Sequence, residues 1–196
     1  MKDTDVLIVG GGMVGVTLAL LLSREPSLAI TLVESISFPS LEPDAPLPYR
    51  PSFDARNTAL SRRTVATYTD LGLWNEMQLH ATPIHEIHVS ERGHFGMSRL
   101  VADEENVESF GQCIENAWMG LVLLRALKRC TNVTVHDGAT LTGIRQHGTH
   151  VSADIKKGDE LFTLNAPLLV AADGANSPCR EMLGINATTT PYGQVA

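Results

Sequence analysis

Three glycines near the amino terminus have the spacing that lets a backbone bind phosphate groups. They form the pattern Gly10-x-Gly12-x-x-Gly15, which follows an apolar run at 6–9 and precedes another at 16–22. Gly10 allows a tight turn out of a strand, Gly12 leaves room for a pyrophosphate beside the backbone, and Gly15 lets a helix pack closely. Strand, glycine turn and helix in this order predict a dinucleotide-binding unit.

The residues beyond the glycine turn support this prediction. Met13 and Val14 open the expected helix, where unpaired N–H groups and the positive end of the helix dipole attract phosphates. Glu34 ends a second apolar run about twenty residues beyond Gly15, where an acid binds ribose hydroxyls and favours FAD or NAD over NADP. A glycine turn that only packs a helix onto a strand is the alternative, and the flanking elements and Glu34 argue against it.

The composition of the 196-residue chain argues against several other classes of protein. Its formal net charge of −7 and its lack of a basic run disfavour a nucleic-acid partner. Three widely spaced cysteines, Cys113, Cys130 and Cys179, fit unpaired thiols better than a disulfide framework or a zinc site. His85 and His88 lack the spacing of a zinc protease and would face opposite ways on a strand. No apolar run reaches the length of a membrane span.

A second group of residues with useful chemistry follows the apolar run at 168–172. It has the pattern Asp-Gly-x-x-Ser-x-x-Arg and consists of Asp173, Gly174, Ser177 and Arg180. A carboxylate at the carboxyl end of a parallel strand lies where open α/β sheets bind ligands. The alternative is a plain strand–turn–helix connection, in which Ser177 or Asn176 caps a short helix that begins at Pro178.

With both motifs in place, the chain resembles the class A FAD-dependent aromatic hydroxylases, the family related to p-hydroxybenzoate hydroxylase. These proteins combine an amino-terminal GxGxxG and a strand-end Glu with a later Asp-Gly motif. The segment FDARNTAL (53–60) is similar to the family segment that carries an FAD-contacting arginine. The segments HVSERGHFG (88–96) and ENAWMGLVLLRAL (115–127) resemble the ubiquinone-biosynthesis branch, and most of all its 2-polyprenyl-6-methoxyphenol hydroxylases.

The resemblance implies an elongated FAD site that draws on most of the chain. For the ADP half of FAD it implies Gly10, Gly12, Met13, Val14, Gly15 and Glu34. Arg56 and Asn116 would contact the cofactor nearer its ribityl and pyrophosphate portion. Asp173, with Gly174, would bind a ribityl hydroxyl, in a motif that the family also uses to engage NAD(P)H. The simpler interpretations are a surface charge for Arg56 and a helix N-cap for Asn116.

The elements that must position these residues predict an α/β fold. We expect a Rossmann-like FAD-binding domain, with a parallel sheet, helices and an antiparallel β-meander, and part of an interleaved substrate domain of mixed or antiparallel sheet. Five prolines between 39 and 51 predict an extended surface loop. The expected helices lie at 60–71, 73–77 and 116–129, and a hairpin lies at 84–101. Strands after the first two are expected at 133–136, 139–146, 150–155, 161–164 and 168–172.

The domain boundaries follow from this alternation of elements. The predicted segments are 1–82 and 106–185 for FAD binding, 83–105 for an excursion into the substrate domain, and 186–196 for the start of the rest of that domain. Family members are about twice as long and carry a third flavin motif in their second half. We therefore expect this chain to be an inactive fragment of such an enzyme.

The resemblance also implies an activity. It is that of a monooxygenase that hydroxylates the ring of a polyprenylated phenol in ubiquinone biosynthesis, with NADH or NADPH and O₂ as co-substrates. The implied partners are FAD, the lipophilic phenol, O₂ and other ubiquinone-biosynthesis proteins. The implied location is the cytoplasm, with peripheral contact at the inner face of a membrane. No side chain is assigned a catalytic role, because Ser177 lacks the GxSxG setting of a nucleophile.

Two other interpretations stay open at this point. Another FAD oxidoreductase, or an NAD-dependent dehydrogenase, could share the amino-terminal fold, although a dehydrogenase would not need Arg56 or Asp173. A non-catalytic subunit of a quinone-biosynthesis assembly would bind FAD without hydroxylating a substrate.

Overall fold

The computed structural model describes residues 3–41 and 53–190. These residues fall into two compact units, Met1–Phe38 with Thr131–Ala196, and Pro39–Cys130. The helices are α1 (Met13–Leu22), α2 (Arg62–Asp70), α3 (Trp74–Met77), α4 (Asn116–Lys128) and α5 (Pro178–Met182), with a 3-10 helix at Gln78–His80. The strands are β1 (Val6–Val9), β2 (Ile30–Glu34), β3 (Asn57–Ser61), β4 (Ala81–Pro83), β5 (Glu86–Ser90), β6 (Met97–Val101), β7 (Gly111–Glu115), β8 (Val133–Asp137), β9 (Ala139–Gln146), β10 (Val151–Lys157), β11 (Glu160–Ala166) and β12 (Leu168–Ala171).

The first unit is built on a parallel sheet with the strand order β12-β1-β2-β8. All four residues of β1 are buried. Their unbroken apolar sequence is typical of a parallel strand that is covered on both faces. Helix α1 contacts β1 and β2 and buries Gly15, Val16, Ala19 and Leu20. The predicted order of strand, glycine turn and helix is confirmed.

An antiparallel meander of β9, β10 and β11 packs on this sheet. One face of the meander, including Leu141 and Ile155, shares a hydrophobic core with Leu7 and Val33 of the parallel strands. Cys179 of α5 is buried in the same core. The predicted three-stranded meander is confirmed, although β10 and β11 each extend further than their apolar patterns indicate because their ends continue as a regular hairpin ladder.

The second unit contains an antiparallel sheet with the order β3-β7-β4. Neither β3 nor β7 is expected from the sequence, and the helix predicted from residue 60 begins at Arg62 instead. Leu60 pairs with Gln112 in the ladder, and the Ser61 side chain caps α2 by accepting a hydrogen bond from the Thr64 N–H. Helix α4 confirms its prediction and buries the leucines at 121, 123, 124 and 127.

The predicted hairpin forms as a two-stranded sheet of β5 and β6, with Ile87 opposite Leu100. Four of the five residues of β5 are exposed, so the strand is more open than the expected half-exposed pattern. No helix within the described ranges is long and apolar enough to cross a membrane. Residues 42–52 of the proline-rich loop and 191–196 lie outside the described residues. The functional domain boundaries stay a prediction, because the two units are defined by compactness alone.

Candidate functional site

The glycine loop between β1 and α1 has backbone atoms where side chains would otherwise lie. A Cβ at Gly10 would overlap the carbonyl of Ala172, and Gly10 has φ +110°, in the region that favours glycine. A Cβ at Gly15 would overlap the carbonyl oxygen of Gly10. Strand, loop and helix therefore approach as closely as the sequence pattern predicts, and only glycine fits at Gly10 and Gly15.

The amino terminus of α1 is open for a ligand. Gly12 is the N-cap residue, with φ −75°, and as a glycine it offers no side-chain cap to the helix. The first N–H groups of a helix have no partners within the helix, and they attract anions. Met13 and Val14 form the first turn, where Val14 is 73% exposed. A narrow backbone cradle that ends at uncapped N–H groups fits the pyrophosphate of a dinucleotide.

Glu34, at the end of β2, lies beside this loop. One carboxylate oxygen accepts a hydrogen bond from the Gly11 N–H at 2.6 Å, and the other accepts one from the Ile36 N–H at 2.8 Å. A Cβ at Gly11 would lie 2.8 Å from both the Glu34 Cβ and the Phe38 ring. The structure thus brings the predicted acid against the predicted glycine loop and fixes its orientation.

Asp173 follows β12, the neighbour of β1 in the parallel sheet. Its carboxylate accepts a hydrogen bond from the Cys179 N–H at 2.9 Å. Ser177 caps α5 by accepting from the Arg180 N–H at 3.0 Å, and the Arg180 guanidinium donates to the Ala175 carbonyl at 2.9 Å. Ser177, rather than Asn176, is therefore the cap. The residues of the motif form a turn that is stabilised by hydrogen bonds among themselves.

The Asp173 turn also has defined electrostatics. Partial burial acts to raise the pKa of Asp173, but hydrogen bonds from Ser177 and Cys179 outweigh it, and the pKa lies below its usual value. Burial, together with the neighbouring Asp173 carboxylate, raises the pKa of the Cys179 thiol to about 12. Asp173 is thus an anion at neutral pH, able to accept hydrogen bonds from a polyol, while Cys179 is an unreactive core thiol.

Arg56 and Asn116 lie together in the second unit, where Asp54 connects them. The Arg56 Nε donates to Asp54 at 2.6 Å, and the Asn116 side-chain amide donates to the other carboxylate oxygen at 3.2 Å. Thr58 donates to the amide oxygen of Asn116. Glu115, not Asn116, is the N-cap residue of α4, so the interpretation of Asn116 as a simple cap is wrong.

Sequence reasoning did not identify Asp54 or Thr58 as part of this group. Asp54 lies two residues before Arg56 in the sequence, and this short spacing is the local signal that could have indicated their contact. Its bond to Asn116 joins residues 62 positions apart, and the bond from Thr58 to Asn116 joins residues 58 apart. Pairings over such distances depend on the β3–β7 ladder, which the sequence pattern does not predict.

A separate cavity of about 560 Å³ lies in the second unit, between α2 and β7. Its lining includes Val65, Trp74 and Gln112. None of the predicted site residues lines it, so the cavity is not part of the predicted cofactor site.

The fold and the site define a class of protein. The parallel sheet has a glycine loop after β1, an acid at the end of β2 and an Asp-Gly turn after β12. This combination defines a dinucleotide-binding α/β domain of the flavoprotein type. A family model described as FAD binding domain matches residues 3–194, and the chain belongs to this family. The predicted family and fold are confirmed, and FAD is the cofactor of this domain.

Several known proteins are similar over nearly the whole chain. The 3-demethoxyubiquinol 3-hydroxylase of Escherichia coli is 32% identical over 98% of this chain and 47% of its own length. The ubiquinone hydroxylase UbiL of Rhodospirillum rubrum is 32% identical over 100% of this chain and 43% of its own length. The chain therefore spans about half the length of these curated relatives.

Solved structures agree on the fold. The flavin-dependent monooxygenase PieE, solved with FAD and substrate, superposes with a TM-score of 0.73 at 23% identity, over 94% of this chain and 33% of that protein. The p-nitrophenol 4-monooxygenase PnpA of Pseudomonas putida superposes with a TM-score of 0.72 at 21% identity, over 94% of this chain and 44% of that protein.

Proposed function

We propose that this chain is the amino-terminal part of an FAD-dependent monooxygenase that hydroxylates the ring of a polyprenylated phenol or quinol in ubiquinone biosynthesis. The observation that carries the proposal is the 32% identity, across the full chain, to two hydroxylases that are named for ubiquinone or its precursor. The glycine cradle and the oriented Glu34 support it independently, because they fit the cofactor that such a reaction needs.

Each unit holds some of the residues predicted to contact FAD. In the first unit, the uncapped first turn of α1 binds the pyrophosphate, with Gly10, Gly12, Met13, Val14 and Gly15. Glu34 accepts hydrogen bonds from the adenosine ribose, and its present bond to the Gly11 N–H holds the carboxylate ready for this. Asp173, an anion beside Gly174, accepts a bond from a ribityl hydroxyl. In the second unit, Arg56 and Asn116 donate to the ribityl and pyrophosphate portion.

Bound FAD would supply the redox chemistry, in which electrons from NADH or NADPH allow one atom of O₂ to enter an electron-rich phenol ring while the other leaves as water. The described residues contribute binding and orientation rather than proton transfer or nucleophilic attack. The backbone N–H groups of α1 and the Arg56 guanidinium offset the phosphate charge, while Glu34 and Asp173 fix the two sugar-like parts of the cofactor. No residue of this chain is proposed as a catalytic acid, base or nucleophile.

The substrate class suggests a location and partners. A polyprenylated phenol partitions into lipid, so we propose that the enzyme works at the cytoplasmic face of a membrane as a peripheral protein. Other proteins of ubiquinone biosynthesis are the proposed partners, because they make and consume such lipophilic intermediates.

Quinone profiling in cells that lack the gene tests the proposed reaction. We expect a ubiquinone precursor that lacks one ring hydroxyl to accumulate, and its structure would identify the ring position. Re-expression of the full-length gene product restores the quinone pool. An unchanged pool would contradict the proposal, and FAD binding without phenol-stimulated NAD(P)H oxidation would favour a non-catalytic subunit.

A further inference from the structure

The Asp54 carboxylate accepts three hydrogen bonds. Its Oδ2 accepts from the Arg56 Nε at 2.6 Å. Its Oδ1 accepts from the Arg56 backbone N–H at 3.0 Å and from the Asn116 side-chain amide at 3.2 Å. Each carboxylate oxygen therefore serves a defined partner, and together the partners are the two residues of this unit that the proposed FAD site uses.

The backbone around Asp54 is anchored as firmly as its side chain. Its carbonyl accepts from the Ala117 N–H at 3.0 Å, and the Arg56 carbonyl accepts from the Asn116 N–H at 2.9 Å. Phe53, 2% exposed, packs against Gly120 so closely that a Cβ at Gly120 would overlap its ring. The start of α4 thus holds the backbone of Asp54 and Arg56 in place. The Asp54 carboxylate is therefore well positioned to orient the Arg56 side chain.

The bond from Arg56 to Asp54 leaves the outer part of the guanidinium available. It is made by Nε, and 73% of the Arg56 side chain is exposed, against 27% for Asp54. Within the described part of the chain, the two terminal nitrogens of Arg56 form no hydrogen bond. The guanidinium is therefore held by its inner edge and presents its outer edge to solvent, as a group prepared for an anion is expected to do.

We propose that Asp54 is a positioning residue that orients Arg56, and through the same carboxylate Asn116, for contact with FAD. The inference rests on the proposed function of Arg56 and Asn116. A carboxylate this close to a phosphate-binding arginine repels the phosphate, so its charge alone weakens FAD binding. Its contribution comes from holding a flexible side chain in one orientation, which lowers the entropy cost of binding.

Asp54→Asn separates the two effects. The side-chain oxygen of the new asparagine can still accept hydrogen bonds from the Arg56 backbone N–H and from the Asn116 side-chain amide. Its side-chain nitrogen then faces the Arg56 Nε, so that two donors lie opposite each other. The variant removes one negative charge and releases the Arg56 side chain. If Asp54 acts by positioning, FAD binding weakens. If it acts through its charge, FAD binding strengthens.

A double-mutant cycle on the full-length gene product tests the proposal, with the FAD dissociation constant measured by flavin fluorescence. We expect Asp54→Asn to weaken binding roughly tenfold, near the lower end of what a hydrogen bond to a charged group contributes. In an Arg56→Ala background the same change leaves binding unaltered or slightly tighter, because there is no guanidinium to position. Asp103→Asn, at an exposed turn of the same unit, is the control.

The outcomes separate this inference from the proposed function. A wild-type protein that binds no FAD contradicts the proposed function. A wild-type protein that binds FAD, with Arg56→Ala weaker but Asp54→Asn unchanged or tighter, overturns the positioning role alone. Equal losses from Asp54→Asn in both backgrounds also overturn it, since they indicate a structural effect that does not pass through Arg56. Thermal unfolding of each variant shows whether the fold is intact.

Discussion

At the scale of single residues, the loop after β1 depends on the absence of two side chains. Gly10 and Gly15 each have a backbone carbonyl where a Cβ would lie, in Ala172 and in Gly10 itself. A backbone atom cannot move aside as the end of a flexible side chain can. These two positions therefore fix how closely β1, α1 and the Asp173 turn approach, and with it the width of the proposed phosphate-binding loop.

Gly15→Ala is expected to destabilise the protein by about 1–3 kcal/mol, the usual cost of overpacking a closed site. It should also weaken FAD binding, since the helix must move away from the loop. Gly148→Ala is the matched control, because a Cβ there meets nothing within 4 Å and the residue has no positive φ. Urea unfolding would show the difference, and equal stability of the two variants would contradict the close packing described for Gly15.

At the scale of elements, two polar networks stabilise parts of the first unit. One holds the Asp173 turn against α5, and the other connects the three strands of the meander. The five residues of α5 form only a short helix, and the Ser177 cap and the Asp173 carboxylate bond its amino terminus. On the meander, Asp154 of β10 accepts from Arg145 of β9 and from Thr163 of β11. A single carboxylate thus connects all three strands.

Ser177→Ala is expected to lower the free energy of unfolding by about 1 kcal/mol, the typical cost of losing an N-cap. The Arg180 N–H loses its acceptor, and the Asp173 turn loses one of its hydrogen bonds. Ser177→Thr keeps a hydroxyl acceptor and should recover most of the loss. Denaturant titration of the three proteins measures this, and an alanine variant as stable as the wild type would show that the cap contributes nothing.

The Asp154 network predicts a specific dependence of stability on pH. Hydrogen bonds from Arg145 and Thr163 lower the pKa of Asp154 from 3.8 to about 2. A lowered pKa in the folded state stabilises the fold above about pH 4, and this contribution is lost as the pH falls towards 2. Asp154→Asn should flatten the decline of the urea midpoint over this range, whereas Asp159→Asn, in the exposed β10–β11 turn, should not. Parallel declines for Asp154→Asn and the wild type would contradict the network's role.

The elements also show why some of the structure follows from the sequence and some does not. The β1 strand, the glycine turn and Glu34 are local or nearly local patterns, and the structure has them as predicted. The β3 and β7 strands are not recoverable in this way, because Asn57–Ser61 is mostly polar and its partner residues lie 50 to 58 positions away. Asp54 was missed for the same reason, since its partner on α4 is brought near by that ladder.

At the scale of the whole molecule, the predicted FAD residues are divided between the two compact units. The glycine loop, Glu34 and Asp173 belong to the first, and Arg56 and Asn116 to the second. Each group is already ordered by hydrogen bonds within its own unit.

The most direct test of FAD binding is to identify the bound cofactor of the full-length gene product, released from the purified protein by denaturation and separated by chromatography. We expect FAD, close to one molecule per chain, and little or none after purification of the Gly15→Ala variant. A colourless protein that releases no flavin and does not quench the fluorescence of added FAD would contradict it. Release of NAD instead would assign the same glycine loop to a dehydrogenase.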